Sequence, residues 1–273
     1  MSPPGTPDPR YVEARCVLLD GLEALRSHLG SIILVGAQAI YVHVGEADLA
    51  VAPFTTDGDL ALDSRTLAEE PLIEQAMSSA GFVPGEQPGA WVGRHGVEVD
   101  LLVPEAIAGE GTRGARIPPH SSRAARKVRG LEAALVDNAA HELVALDPRD
   151  SRRFSIRVAG PAALVVSKLV KLGDRLREPR RLDAKDAYDI YRLLQAVETD
   201  LLAARLSELR DDPVAGETTT QALGVFGEHF AARETAGTQL VVQHSGSLAD
   251  ADFIAESCFR LSRRLLSAMG GQS

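Results

Sequence analysis

The sequence predicts an α/β fold of the α+β kind: a small mixed sheet flanked by helices, followed by a mainly helical C-terminal half. Three observations carry this expectation. Short apolar, β-branched runs such as Ser31-Ile-Ile-Leu-Val35 alternate with amphipathic stretches up to about residue 160. Beyond Pro161 the hydrophobic period becomes helical and stays so. The 273 residues, 45% hydrophobic and 25% charged, suffice for one large core or two modest ones. The expected organisation is a disordered N-terminus over residues 1–10, an α/β core over 11–160 and a helical domain over 161–273.

Each element has its own signal. Three prolines among the first seven residues argue against regular structure there. Residues 11–29 read as a helix with Leu18, Leu22, Leu25 and Leu29 on one stripe. Residues 31–35 read as a buried strand, Gly36 breaks it, and 37–44 read as a short helix. Residues 45–56, with Pro53, read as a loop. Residues 57–63 alternate polar and apolar, the mark of a strand with one wet face. Residues 67–80 read as a helix stopped by Gly81. Residues 90–93 and 97–103 read as strands joined through Arg94-His95-Gly96, with glycine supplying the turn. Residues 109–130 read as a basic loop, and 131–158 as further short strands ending at 154–158. Pro161 suits the first position of a helix running to Leu176. Asp183 suits the N-cap of a helix ending at Ala196. Helices are also expected at 201–209, 221–232 and 248–268.

Composition excludes several classes. The longest apolar runs fall far short of the ~20 residues that span a bilayer, and no charged-then-apolar leader opens the chain. A cytoplasmic protein with no membrane partner is therefore expected. Two cysteines, Cys16 and Cys258, make no disulfide framework and are expected to pack as small apolar residues. The seven histidines show no zinc-ligand spacing, and Gly109-Glu-Gly-Thr-Arg-Gly114 lacks the G-K-[ST] ending of a phosphate loop. Net charge is −9, unevenly spread. Residues 113–185 carry +9, including all four lysines, against −18 elsewhere. A basic middle in an acidic chain suits local phosphate binding, not indiscriminate nucleic-acid binding.

The residues with the sharpest chemistry are Gly36-Ala37, then Thr55-Thr56-Asp57-Gly58-Asp59-Leu60, then Val97-Glu98-Val99-Asp100-Leu101. Asp57 and Asp59, two apart on a strand, share a face. Asp100 lies on a second strand with similar neighbours. Three carboxylates converging on one face repel unless a cation lies between them, and the hard-cation choice is Mg²⁺, with Mn²⁺ as its substitute. Two such ions about 4 Å apart suit phosphoryl or nucleotidyl transfer. Gly36, opening a helix after a buried strand, offers bare backbone N–H groups to a phosphate.

These residues resemble the polymerase-β-type nucleotidyltransferase superfamily, whose signature is an apolar strand, a Gly-Gly or Gly-Ser pair, then two acids one residue apart. Val35-Gly36-Ala37 stands at the first part, Asp57-Gly58-Asp59-Leu60 at the second, and Asp100 at the third carboxylate. Ala37 has no hydroxyl, and Gly58 stands where the family has an apolar residue. Further on, Pro161 to Arg175 places Lys168, Lys171 and Arg175 on one helix face. It is followed by Lys185-Asp186-Ala-Tyr-Asp189-Ile. This pair looks like AbiEii-type toxins of toxin–antitoxin pairs, over roughly residues 30–195. The resemblance implies catalytic Asp57, Asp59, Asp100, Lys168 and Asp189. It implies a nucleotide held by Gly36, Ala37, Thr56, Lys171, Arg175 and Lys185, and two Mg²⁺ on Asp57, Asp59 and Asp100. Lysines near such a site neutralise triphosphate charge. Lys168 is the first choice and Arg175 or Lys185 the second, with Asp189 or Asp186 expected to hold such a lysine in place or to assist in proton handling.

The resemblance further implies an NTP as donor, the tRNA 3′ end as acceptor through the basic segment 113–129, and a separate antitoxin partner. The same core also serves transfer to a protein hydroxyl or to a cationic small molecule such as an aminoglycoside, which the acidic remainder suits. Ala37 and Gly58 motivate a third reading, a catalytically silent nucleotide-binding module, whose acids stand apart or lie against arginines.

Overall fold

Helix α1 (Pro9–Ala24) starts where its cap chemistry dictates. The Asp8 carboxylate accepts from the Arg10 N–H at 2.8 Å, and Pro9 fills the first turn. Residues 8–10 are thus the cap and start of a helix, not part of a disordered segment; 1–7 lie outside the described residues. The helix also ends earlier than the leucine stripe suggests. Arg26–Ser31 tighten into a 3₁₀ turn, where buried His28 donates from Nε2 to the Pro71 carbonyl at 2.8 Å. The computed structural model describes residues 8–45, 55–178, 180, 182–246 and 250–270. Most of the expected 45–56 loop lies outside these.

The turn delivers the chain to β1 (Ile32–Val35), which is buried along its whole length. Then come α2 (Gly36–Val44), β2 (Asp57–Leu62), α3 (Ile73–Ser79), β3 (Val83–Pro84), β4 (Ala90–Val92), β5 (Glu98–Pro104), β6 (Arg126–Val128), β7 (Asn138–Val144) and β8 (Arg153–Ala159). The strands form one mixed sheet in the order β3-β4-β5-β2-β1-β8-β7, with β6 alongside β5. β2 runs antiparallel to β1 and parallel to β5. The β4–β5 turn is a tight hairpin as expected, with His95 as well as Gly96 at positive φ.

Two elements depart from expectation. The 67–80 helix shrinks to α3, because Pro71 lacks an N–H and restricts Glu70 before it. Gly81, at φ +88°, ends it as anticipated. The 109–130 loop contains β6, paired in parallel with residues 102–104.

The chain divides into two compact units, Met1–Ala159 and Gly160–Ser273. The second is helical: α4 (Pro161–Arg177), α5 (Ala184–Ala196), α6 (Thr199–Arg210), α7 (Gly216–Phe230), α8 (Ala236–Ser245) and α9 (Ala251–Gly270). Pro161 opens α4, and the Asp183 carboxylate caps α5 by accepting from the Lys185 N–H at 2.9 Å. The sequence pattern does not announce α8. Its Gly237 lies so close to Phe230 that a side chain there would sit 2.6 Å from the ring. Both cysteines are buried, and burial pushes the Cys258 thiol up to about 11. Among the described residues no helix is long and apolar enough to cross a membrane.

Burial also holds two imidazoles of the first unit, His28 and His43, below their ordinary range. Below about pH 6.5 the unfolded chain protonates these histidines while the folded chain resists. Stability present above that pH is therefore lost as pH falls beneath it. Urea melts at pH 7.5 and 5.5 are expected to show a smaller acid-induced loss in His43→Gln than in the wild type. Equal losses count against the assignment.

Candidate functional site

The sheet register brings the acids of the first unit together. Asp59 lies directly across from Asp100, and Asp57 from Glu98, in the parallel β2–β5 pair. Strands lie about 4.8 Å apart and alternate residues share a face, so all four carboxylates project from one side of the sheet. Glu98, a hairpin residue to the sequence reading, joins the expected three through this register.

Gly36 lies beneath Asp59. Val35 pairs with Asp59 across β1 and β2, and the chain then turns into α2 through Gly36 at φ +68°. A side chain at Gly36 would overlap the Asp59 carboxylate, so this position requires glycine both for its backbone and for space. Gly36→Ala is expected to displace the Asp59 carboxylate and to lower transfer by ~10², the scale of a misplaced reacting group. A single-turnover assay on folded variant checks this; wild-type turnover would show that Asp59 need not stay where it is. Gly58, on the opposite face, is explained by packing: a side chain there would come within 3.0 Å of Leu18 on α1. The helix fills the space that an apolar side chain would otherwise occupy.

Asp57 is held from two sides. Buried Thr55 donates its hydroxyl to the Asp57 carboxylate. Thr56, the residue expected to bind nucleotide, is exposed beside it. Behind the strand, the Gln38 side-chain amide donates to the Asp57 carbonyl at 3.0 Å. Arg15 Nε donates to Gln38 Oε1 at 2.8 Å, and its other nitrogens donate to Tyr11 Oη at 2.7 Å and the Val144 carbonyl at 2.9 Å. Arg15 and Gln38 are both buried. Sequence reasoning passed over them, although Arg15 lies three residues before Leu18 on the leucine stripe, a polar residue where the pattern wants an apolar one. Ala37 packs its methyl with Tyr11 and Tyr41, which leaves only its backbone to meet a ligand.

Asp100 lies against an arginine. Arg126 Nη2 reaches Asp100 Oδ2 at 2.7 Å, and Nη1 reaches Gln87 Oε1 at 3.4 Å. Among the described residues no three His, Cys, Asp or Glu side chains already stand together as a metal-binding cluster. The donor chemistry nonetheless fits a hard divalent ion: the face offers carboxylate oxygens, and a cation, the guanidinium, already rests on one of them. The rest of the basic segment is also partly committed. Lys127 Nζ donates to the Gly109 and Gly111 carbonyls at 2.6 and 3.1 Å, and Arg123 donates to those of Gly85 and Glu86. Arg113, Arg116 and Arg129 are exposed.

The second unit gathers the downstream charges on α4 and α5. Lys168 Nζ lies 3.1 Å from Asp186 Oδ1 and 2.7 Å from Asp189 Oδ2, with its side chain 9% exposed. Burial alone would lower its pKa, but Asp189 and Asp186 together raise it above the usual lysine range. Arg175 reaches Asp186 at 2.5 Å and Asp183 at 3.3 Å. Lys171, 54% exposed, approaches Asp186 at 3.8 Å. Lys185 is partly exposed at the start of α5.

A family model described as "Nucleotidyltransferase" matches residues 18–213. No curated protein and no solved structure matches the chain.

Proposed function

The chain belongs to the nucleotidyltransferase family whose model spans residues 18–213, and from that premise we propose that it moves a nucleoside monophosphate from an NTP to the 3′ end of tRNA, as the toxin of a toxin–antitoxin pair. The observation that carries the transfer reading is the strand register that sets Asp57, Asp59 and Asp100 on one face beside Gly36. Asp57, Asp59 and Asp100 are the residues to hold Mg²⁺, or Mn²⁺ in its place. Such ions, when bound, supply the positive charge that favours attack at the α-phosphate and departure of pyrophosphate.

The chain's own groups do the rest. Backbone N–H groups at Gly36 and the first turn of α2 point toward a phosphate at the helix start. Thr55 fixes the rotamer of Asp57, and the Arg15–Gln38 link fixes its main chain. In the second unit, Lys168 and Asp189 form a buried ion pair, with Arg175 and exposed Lys171 on neighbouring Asp186; the assignment of Lys171, Arg175 and Lys185 to nucleotide phosphates rests on the resemblance alone. Exposed Arg113 and Arg116 suit an RNA backbone. The tRNA acceptor and the antitoxin partner rest on the likeness of the 161–189 segment to AbiEii-type toxins.

One observation favours a second reading, a nucleotide-binding module without turnover: the Asp100 carboxylate is engaged by Arg126. Incubating the full chain with each labelled NTP, Mg²⁺ and separate pools of tRNA, protein and aminoglycoside decides between them. Label in tRNA is expected. Label in protein or aminoglycoside alone overturns the tRNA acceptor. Nucleotide binding with no label in any pool supports the silent module.

A further inference from the structure

We propose that Arg126 is a built-in counter-ion that competes with the divalent cation for Asp100, so that loading the acid face requires the guanidinium to leave. The inference rests on the reading of Asp57, Asp59 and Asp100 as cation ligands.

The geometry is specific. β6 pairs in parallel with β5, and Arg126 stands opposite Leu102, two residues beyond Asp100. Residues paired across a sheet, and residues two apart on a strand, share a face, so the register directs Arg126 onto the acid side. Its backbone is pinned. Gly89 packs so closely that a side chain there would lie 2.6 Å from the Arg126 nitrogen and 3.0 Å from its Cβ. The guanidinium is the part left to move. It lies at the rim, with 26% of its side chain exposed, and bonds Asp100 Oδ2 at 2.7 Å.

Electrostatics explains why a cation belongs there. Four carboxylates on one face repel one another at strand spacing, and the Arg126 guanidinium offsets part of that charge through one short hydrogen bond to Asp100. A divalent ion shared among Asp57, Asp59 and Asp100 offsets more of it, but it cannot sit beside a guanidinium on the same carboxylate without like-charge repulsion. The two therefore compete for Asp100. The displaced guanidinium has solvent on its outer side, where the negative charge of an incoming triphosphate compensates it. Arg126 is thus a positioning residue whose effect passes through Asp100. It also leaves the set of charges available to an RNA backbone in the resting state.

The test uses Mn²⁺ alone as probe, its binding followed by electron paramagnetic resonance on the full chain without nucleotide. Arg126→Met removes the charge and keeps most of the side-chain bulk, and is expected to tighten Mn²⁺ binding at least tenfold. In an Asp100→Asn background the same substitution is expected to change binding less than threefold, because the contested carboxylate is gone. Circular dichroism melts confirm that each variant is folded. Equal or weaker Mn²⁺ binding by a folded Arg126→Met variant overturns the proposal, and so does an equally large gain in the Asp100→Asn background. If neither the wild type nor Arg126→Met binds Mn²⁺, the cation-ligand reading fails first and takes the counter-ion role with it. If the wild type binds and Asp59→Asn does not, the cation-ligand reading stands whatever Arg126 does.

Discussion

Asp59→Asn is expected to remove nucleotidyl transfer, lowering single-turnover rates by ~10³ or more, while the protein stays folded. The position is central in every direction the sheet allows. Asp59 pairs with Val35 on one side and with Asp100 on the other, and its carboxylate lies over the Cα of Gly36. The start of α2, where backbone N–H groups collect, is therefore beside the acid best placed to share a cation with both neighbours. Asparagine keeps the size and one oxygen but removes the charge. The amide has no reason to clash with Gly36, so denaturant melts should barely move. Asp57→Asn tests the same face from its edge, where Thr55 also holds the side chain. The measurement is transfer of labelled nucleotide in one turnover, beside Mn²⁺ binding. An Asp59→Asn enzyme that transfers at the wild-type rate ends the assignment of this face as the site of reaction.

What the sequence made legible here was local. Period-two alternation through 57–63 put Asp57 and Asp59 on one face, and the apolar run before Gly36 placed the glycine at a strand-to-helix junction. Both follow from chain geometry within a few residues. The family model over 18–213 agrees with the class those residues suggested. Distant pairings were another matter. Arg126 reaches Asp100 across 26 positions, through a three-residue strand inside a segment that read as loop. Arg15 reaches Gln38 across 23. A solvated arginine and a buried counter-ion look alike until the register between strands is known, because that register is set by packing and not by period. The truncated start of α3 is different in kind: Pro71 stood in plain view inside the expected helix, and its missing N–H should have ended that expectation.

The second large effect concerns Lys168, and it is a stability effect. The sequence reading assigns this lysine to triphosphate charge. In the structure its ammonium is buried between Asp186 and Asp189, whose side chains are each 2% exposed. Lys168→Ala leaves Asp189 with Arg192 at 3.9 Å as its nearer remaining cation and Asp186 with Arg175 at 2.5 Å. Breaking a buried pair by removing one partner costs about 3–5 kcal/mol, because a carboxylate stays behind without its counter-charge. Arg175 places the expected loss near the lower end, about 3 kcal/mol. The raised lysine pKa fixes the sign with pH: the stabilisation is complete below about pH 10.4, where the unfolded chain is also protonated, and is lost only as pH rises toward the higher folded value. Denaturant melts near neutral pH therefore see all of it. A compensated variant separates the charge defect from lost packing. Lys168→Met with Asp189→Asn removes both charges of the pair, leaves Asp186 to Arg175 and an amide oxygen beside buried Arg192, and is expected to recover part of the loss. If Lys168→Ala instead melts like the wild type and only turnover falls, the lysine acts on the phosphates after all, and its carboxylate partners are there to aim it.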